Sequence, residues 1–224
     1  MSGGTPVLDR LLDRAVQRSK GHEVATKLRQ ERPGASPAEL VAVLESRYVR
    51  NAGLLGGGVG AVATVPAVGT GTAAVLTTAQ VAASMTSAAT FVMAVATLHG
   101  VRVDDLERRR TLLMGALLGE DGAEAVSGQM GLGTFYWAKA ALTKLPINTI
   151  RTLNRRLRRR LLRAGAVKGG SVVLGRLAPF GVGAVIGYFG TRAVAKNVVE
   201  GVEKAFGPAP ATFADAQTFA DART

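Results

Sequence analysis

The fold is decided by an uncharged stretch, residues 72–98, which reads TAAVLTTAQVAASMTSAATFVMAVATL. Its 27 residues predict one long helix, and at about 1.5 Å per residue such a helix is long enough to cross a bilayer. Nine of its side chains carry a hydroxyl or amide group, which weakens transfer into lipid. We therefore expect one arm of a hairpin that is buried in the protein or dips into a membrane, rather than a full span.

The residues around this helix indicate how the hairpin is built. All 51 residues from 51 to 101 lack Asp, Glu, Lys and Arg, and Pro66 with many nearby glycines predicts a broken helix or a hairpin tip. A second uncharged segment, residues 177–191, is too short to span a bilayer by itself. Small residues four positions apart let helices approach closely. The predicted hairpin positions are Gly56, Gly60, Pro66, Gly69, Gly71, Pro179, Gly183 and Gly187.

Helix start and stop signals recur along the chain. Ser36 with Glu39 forms a capping box and predicts a helix over residues 37–50. Gly100 is expected to end the long apolar helix, and Asp104, followed by a glutamate three residues later, to start the next. No alternating pattern is long enough to build a sheet. The sequence therefore predicts an all-α fold, a multi-helix bundle with Gly/Pro-rich apolar helical hairpins.

The positive charge of the chain is concentrated in one part of it. Lys and Arg total 28 against 16 Asp and Glu, and residues 125–199 hold 13 of the basic residues and no acidic one. From Ile150 to Ala164 apolar residues recur every three or four positions, which predicts an amphipathic helix with arginines over the rest of its surface. The predicted membrane or anion contacts are Arg151, Arg155, Arg156, Arg158, Arg159, Arg160, Arg163, Lys168 and Trp137.

Three interpretations of this basic helix remain open. It can lie on an anionic bilayer with arginines at the headgroup phosphates, it can follow a nucleic-acid backbone, or its leucines can face the protein's own core. No nucleic-acid-binding motif accompanies the arginines, so nucleic acid is the less favoured partner. Arg47 and Arg50 before the uncharged stretch, and residues 108–110 after it, suit entry and exit on the same side of a membrane.

Two further segments indicate contacts. Residues 135–137 are three adjacent aromatics, so at least one of them faces outward, where Tyr and Trp suit a bilayer interface; packing against a neighbouring helix is the alternative. After Gly207 the composition changes, and TFADAQ at 212–217 is nearly repeated at 218–223. This repeat is either a disordered tail or a short docking peptide for a protein partner.

Patterns for catalysis and metal binding are missing from the sequence. There is no cysteine, and His22 and His99 are 77 positions apart, so neither a thiolate nor a histidine metal site is expected. The chain lacks the Gly-Lys-Ser or Gly-Lys-Thr of a phosphate-binding loop, and the glycine pattern at 58–63 lacks the acid of a dinucleotide site. The acidic residues at 120–124 are expected in a solvated loop. We expect a protein that is not an enzyme and uses no cofactor or metal.

Four motifs of small and charged residues follow one another in a set order. They are the glycine hairpin at 69–71, the long helix ending at 99–100, the Glu-Arg-Arg-Arg helix at 107–110 and the late Pro-Gly segment at 179–187. Their order resembles that of the EcsC protein family in its actinobacterial form, over roughly residues 36–206. The family often has an asparagine after the last hairpin, where this chain has a threonine.

The resemblance implies a helical, membrane-associated bacterial protein of a family named for a protein encoded beside an ABC transporter linked to secretion. It implies no catalytic residues. We divide the chain into an N-terminal helix at 1–35, an EcsC-like helical domain at 36–206 and a disordered tail at 207–224.

We expect a non-enzymatic, cytosol-facing protein, in the cytoplasm or at the cytoplasmic face of the cell membrane. Its basic helix and apolar hairpins would associate with anionic phospholipid, as an accessory to transport or secretion. The alternative is a soluble helical module that binds nucleic acid or an acidic protein through its arginine-rich helix.

Overall fold

The computed structural model describes residues 5–62, 70–101, 103–130, 136–176 and 182–213. Within these ranges the chain forms nine α-helices and no strand, which confirms the predicted all-α multi-helix bundle. The helices are α1 (Thr5–Gln17), α2 (Gly21–Glu31), α3 (Pro37–Val62), α4 (Thr70–Leu98), α5 (Leu106–Leu118), α6 (Glu120–Met130), α7 (Trp137–Lys144), α8 (Ile147–Arg176) and α9 (Val182–Phe206).

The C-terminal half of α4 is the centre of the core. From Ala88 to Leu98 every side chain except Thr90 and Thr97 is buried, and α1, α2, α3 and α5 all pack against this helix. In the described part of the chain one helical segment, Ala79–Leu98, is apolar and long enough to cross a membrane, with a mean hydropathy of 1.7, and half of it is buried inside the protein. The predicted long helix is confirmed. Its second half is enclosed by other helices, because a helix that is apolar on all sides must be shielded from water.

Helices α3 and α4 pack against each other as the two arms of a hairpin. Helix α3 was predicted to end near residue 50, but it continues through the glycines to Val62. Its pairing with α9, the most extensive helix contact in the described residues, offsets the low helix propensity of glycine. A Cβ atom on Gly53 would lie only 2.7 Å from Cε2 of Tyr188 in α9, so glycine is what lets these two helices approach.

The other hairpin positions fall on different parts of this structure. Gly56 is buried in α3. Pro66 and Gly69 of the predicted hairpin tip lie outside the described residues, as does Pro179. Four further glycines lie in helical backbone, but their packing is outside the described part of the structure: Gly60, Gly71, Gly183 and Gly187. The predicted close packing is thus tested only at the base of the first hairpin.

Local capping signals position the helix ends. The Ser36 hydroxyl accepts a hydrogen bond from the Glu39 backbone N–H at 3.3 Å, and the Glu39 carboxylate accepts one from the Ser36 N–H at 2.7 Å, which confirms the capping box. Gly100 ends α4 with a φ of 68°, as predicted. The cap of α5 is one residue later than predicted, because the Asp105 carboxylate, and not that of Asp104, accepts from the Arg108 N–H at 2.9 Å.

The N-terminal segment forms two helices, where the sequence predicted one. The chain turns between α1 and α2, where the Ser19 hydroxyl donates to the Ala89 carbonyl of α4 at 3.3 Å. Both helices bury apolar side chains in the same core as α4, among them Leu12, Val16 and Leu28. Residues 5–31 are therefore part of the same packed body as the helices that follow.

The acidic residues at 120–124 are helical, and the prediction of a solvated loop is wrong. Gly119 ends α5 with a φ of 61°, and α6 begins at the next residue. Glu120 and Asp121 then occupy the first turn of α6, where the positive end of the helix dipole favours carboxylates.

Candidate functional site

The apolar side of α8 faces the interior of the protein. Ile150, Leu153 and Leu157 are fully buried, and the helix packs against α5, α6 and α9. The structure therefore bears out, for this side of the helix, the interpretation that its leucines face the protein's own core. Those residues are not available for insertion into lipid.

A buried polar network fixes the orientation of α8 on α5. The Asn154 amide donates to the Glu107 carbonyl at 2.9 Å and to the Glu107 carboxylate at 2.8 Å, and its oxygen accepts from the Thr111 hydroxyl at 2.7 Å. A change in the rotation of α8 would leave these groups unpaired in the interior, which is costly. The network therefore determines which arginines point outward.

Two arginines of α8 form ion pairs within the protein. Arg158 donates to the Asp9 carboxylate of α1 at 2.8 Å. Arg160 donates to the Asp121 carbonyl at 2.7 Å and lies 3.6 Å from the Glu124 carboxylate, which places it over the start of α6. These two residues, predicted as membrane or anion contacts, hold neighbouring helices to α8.

Four other arginines of α8 form one exposed row, which we call the arginine stripe: Arg151, Arg155, Arg159 and Arg163. Their four-residue spacing places each one about a turn beyond the last, and twelve residues of helix extend the row over about 18 Å. No carboxylate of the described residues pairs with them; Arg155 donates instead to the Thr152 hydroxyl of its own helix at 2.9 Å. The stripe thus carries four positive charges that the described part of the protein does not neutralise.

The two other basic residues of the predicted site on α8 lie outside the arginine stripe. Arg156 is exposed and donates to the Gln129 amide oxygen at 2.7 Å. Lys168 lies in the helical backbone of α8, with its side chain outside the described part.

Trp137 is not a surface contact, and this prediction is wrong. Its side chain is only 1% exposed, and it packs over Gly115 of α5, where a Cβ atom would lie 2.6 Å from the indole Cη2. Its neighbour Tyr136 is 48% exposed, so one aromatic of the described pair faces outward and the other inward. The long-range partner Gly115 accounts for the difference, because it leaves room for the indole.

The arginines at 108–110, predicted to flank a membrane segment, are partly buried and engaged within the protein. The Arg108 guanidinium donates to the carbonyl groups of Leu142 and, at 3.1 Å, Leu145, so it caps the C-terminal end of α7. Arg110 pairs with Glu107 at 3.0 Å and with Asp13. These contacts stabilise helix packing and engage the guanidinium groups of Arg108 and Arg110 within the protein.

His99 lines a cavity of about 440 Å³ together with Glu45, Glu203 and Tyr136. Its Nδ1 donates to the Val95 carbonyl at 2.9 Å, and its ring packs 5.0 Å from that of Phe206. Burial lowers the pKa of His99, so the imidazole is neutral at pH 7. Among the described residues no group of three or more His, Asp or Glu side chains is arranged to hold a metal ion.

The start of the C-terminal repeat lies against the helical body. The Arg29 guanidinium of α2 lies 3.8 Å above the ring of Phe213, which is partly buried. Gly207, with a φ of 75°, turns the chain after α9 beside the Tyr136 ring. Residues 214–224, with the second copy of the repeat, lie outside the described residues.

No protein-family model, curated protein or solved structure matches this chain. The resemblance to the EcsC family therefore stays a prediction.

Proposed function

We propose that this protein attaches to anionic phospholipid through the arginine stripe of α8. One observation supports the proposal: four exposed arginines share one row and have no carboxylate partner in the described residues, while the opposite side of the same helix is fixed in the core. Protein surfaces usually mix charges of both signs, and an extended row of one sign favours a partner of the other.

The attachment is electrostatic and does not require α8 to insert. Each arginine near an anionic surface contributes about 1 kcal/mol, so the stripe contributes up to about 4 kcal/mol. Because these charges are exposed, dissolved salt weakens their attraction to the membrane, with a screening length of about 8–10 Å near physiological ionic strength. Binding should therefore weaken steeply as salt is added.

Apolar side chains at the hairpins add a second contribution to this proposal. Large apolar side chains are exposed on α3, α4 and α9: Leu54, Leu55, Val81, Phe189 and Val194. Shallow insertion of such residues would strengthen a contact that the arginines begin. In a bacterial cell the contact would be at the cytoplasmic face of the membrane, and a role as an accessory to transport or secretion rests on the EcsC resemblance alone.

A charge-matched pair of variants tests the proposal. The stripe variant replaces Arg151, Arg155, Arg159 and Arg163 with Gln, and the control variant replaces the exposed residues Lys27, Arg32, Arg192 and Lys196 with Gln. Both variants lose four positive charges, so they differ only in where the charge was. We expect the stripe variant to bind phosphatidylglycerol vesicles about two to three orders of magnitude more weakly than the parent, and the control to change much less.

Co-sedimentation with vesicles measures the partition, with phosphatidylcholine vesicles as the uncharged reference. Equal losses in the two variants would contradict the stripe, since net charge would then be the cause. Competition with duplex DNA decides between the two partner classes. If DNA displaces the vesicles at equal phosphate concentration and binds with a steep salt dependence, the protein is a nucleic-acid-binding module.

A further inference from the structure

A small polar cavity lies at the junction of α1, α5 and α8, at one end of the arginine stripe. Its volume is about 250 Å³, which is below the range of drug-sized ligands but is enough for a small polar group. Leu12 and Met114 are buried and form its apolar part, and its other lining residues are polar or charged. Asn154 is one of these, and its amide is already bonded to α5. The charged side chains therefore decide what the cavity can bind.

Two arginines of the stripe, Arg151 and Arg155, supply the hydrogen-bond donors of this cavity. Both side chains are exposed, and no carboxylate of the described residues pairs with either of them. The bond from Arg155 to the Thr152 hydroxyl uses only part of the donor capacity of a guanidinium group. Because the two arginines are about one helical turn apart and line the same space, they can bind one phosphate group together.

The other two arginines of the cavity are already paired with carboxylates. Arg110 pairs with Glu107 at 3.0 Å and also with Asp13, and Arg158 donates to Asp9 at 2.8 Å. These pairs join α1 and α5, and α1 and α8, so they hold the walls of the cavity in place before any ligand arrives.

Asp9 adds a hydrogen-bond acceptor that a ligand can reach. Its side chain is 39% exposed, and its Oδ2 atom accepts the hydrogen bond from Arg158. No described residue donates to its other oxygen, Oδ1, which is not sealed from solvent. A hydroxyl group needs only such a free lone pair. An ammonium group would gain little, because Arg158 already balances the charge of Asp9 and three more arginines line the same cavity.

The net charge of the cavity matches that of a phosphodiester. Its four arginines face the carboxylates of Asp9 and Glu107, and Asp13 beside Arg110 adds a third carboxylate, which leaves one positive charge. A phosphodiester carries one negative charge, whereas a phosphomonoester carries about 1.5 to 2 near pH 7. Phosphodiesters link the headgroups of common phospholipids to the glycerol backbone.

We propose that this cavity binds the polyol phosphodiester headgroup of an anionic phospholipid such as phosphatidylglycerol. The phosphate accepts hydrogen bonds from Arg151 and Arg155, and a headgroup hydroxyl donates to Asp9 Oδ1. The inference rests on the proposed function, because both arginines belong to the arginine stripe, and it adds a preference among lipids of equal charge.

Two lipids of equal charge separate the hydroxyl from the phosphate. Phosphatidylglycerol and phosphatidylmethanol both carry one phosphodiester, but only the glycerol headgroup has free hydroxyl groups. With each lipid mixed equally with phosphatidylcholine, we expect the protein to bind phosphatidylglycerol vesicles about fivefold more tightly, the effect of one hydrogen bond. Equal binding to both would overturn the headgroup site and leave the stripe in place, whereas binding to neither would contradict both proposals.

Asp9→Ala removes the acceptor, and Asp13→Ala is its matched control. Each variant loses one partly exposed carboxylate of α1 and frees the arginine paired with it, but Asp13 does not line the cavity. Such pairs contribute little to stability, so both variants should fold. We expect the fivefold preference to disappear in Asp9→Ala and to persist in Asp13→Ala. If Asp9→Ala keeps the preference, Asp9 does not recognise the hydroxyl and the proposed site is wrong.

The free headgroup distinguishes a lipid from a soluble ligand. Glycerophosphoglycerol has the same phosphodiester and hydroxyl groups as the lipid but no acyl chains. Because several arginines hold a vesicle at once, we expect millimolar glycerophosphoglycerol to leave most of the protein on phosphatidylglycerol vesicles. Displacement at micromolar concentration would show that the cavity serves a soluble phosphodiester, and would overturn the assignment to a lipid.

Discussion

Gly201 of α9 lies directly against the backbone of α5. A Cβ atom there would collide with the carbonyl group of Ala116, and a backbone carbonyl cannot move aside as the end of a side chain can. We expect Gly201→Ala to lower the free energy of unfolding by about 1–3 kcal/mol through overpacking. Urea denaturation of the purified variant measures the change.

Gly128 in α6 is the matched control, because a Cβ atom there meets nothing within 4 Å. Alanine loses less backbone entropy than glycine in a helix, so we expect Gly128→Ala to gain about 0.5–1 kcal/mol. Similar losses in both variants would contradict the close crossing of α5 and α9.

His99 makes the stability of the protein depend on pH. Burial lowers its pKa, although the hydrogen bond to the Val95 carbonyl acts in the opposite direction. The unfolded chain therefore binds a proton more readily than the folded one, and the free energy of unfolding should fall as the pH drops below about 6.5. We expect His99→Leu to flatten this dependence between pH 7.5 and 5.5 in urea denaturation.

The exposed His22 provides the control for this measurement. His22→Gln should keep the pH dependence of the parent. Glu45, in the same cavity as His99, has a pKa raised by burial and by Glu203, so its contribution to stability is present at low pH and lost as the carboxyl ionises. A parent slope that survives in His99→Leu would show that another group carries it.

Helix α8 has two adjacent arginines with different roles. Arg158 pairs with Asp9, and Arg159 belongs to the arginine stripe. We expect Arg158→Gln to lower the free energy of unfolding by about 0.5–1 kcal/mol, the usual contribution of a partly exposed pair, and Arg159→Gln to change it by less than about 0.5 kcal/mol. Vesicle binding should show the opposite order of effects. We expect Arg159→Gln to weaken binding to anionic vesicles about fivefold and Arg158→Gln to change it less.

Chemical denaturation and vesicle co-sedimentation of the same two proteins measure both effects. Each variant serves as the control for the other, since both lose one arginine from the same turn. If Arg158→Gln weakens vesicle binding as much as Arg159→Gln does, the division of α8 into paired and free arginines is contradicted.

A helix boundary could be predicted from the sequence where the residues that determine it lie within a few positions of one another. Ser36 and Glu39 satisfy each other's backbone groups, and Gly100 and Gly119 adopt the left-handed backbone that ends a helix. The end of α3 could not be predicted in this way. Its glycines have weak intrinsic helix propensity, and their helical state depends on packing against α9, which lies far away in the chain.

The arginines of α8 show the same limit for the candidate site. Their spacing indicates a basic helix, but it does not distinguish Arg158, which meets Asp9, from Arg159, which is exposed. The buried amide of Asn154 sets the rotation of the helix, and its partners Glu107 and Thr111 are on another element. A signal was present in the sequence, since an asparagine falls on the apolar side of the helix, next to Leu153.

The molecule as a whole depends on its first two helices. Leu12, Val16, Ala25 and Leu28 of α1 and α2 are buried in the same core as α4. We expect a fragment that begins at residue 36 to lose the cooperative thermal unfolding expected of the full chain. Removing α1 and α2 would expose the apolar surface of α4 that they cover. Circular dichroism during heating measures this; a cooperative transition in the fragment would show that residues 36–206 form an independent domain.

The chain contains one tryptophan, Trp137, and its indole ring is buried against Gly115 of α5. Its side chain is only 1% exposed, so bulk water does not reach the indole ring in the folded protein. Tryptophan fluorescence, excited selectively at a wavelength where tyrosine does not absorb, is therefore a spectroscopic reporter of the core alone. Its emission should remain at short wavelength when the protein meets a vesicle, and should shift to longer wavelength only when the helices separate and water reaches the ring.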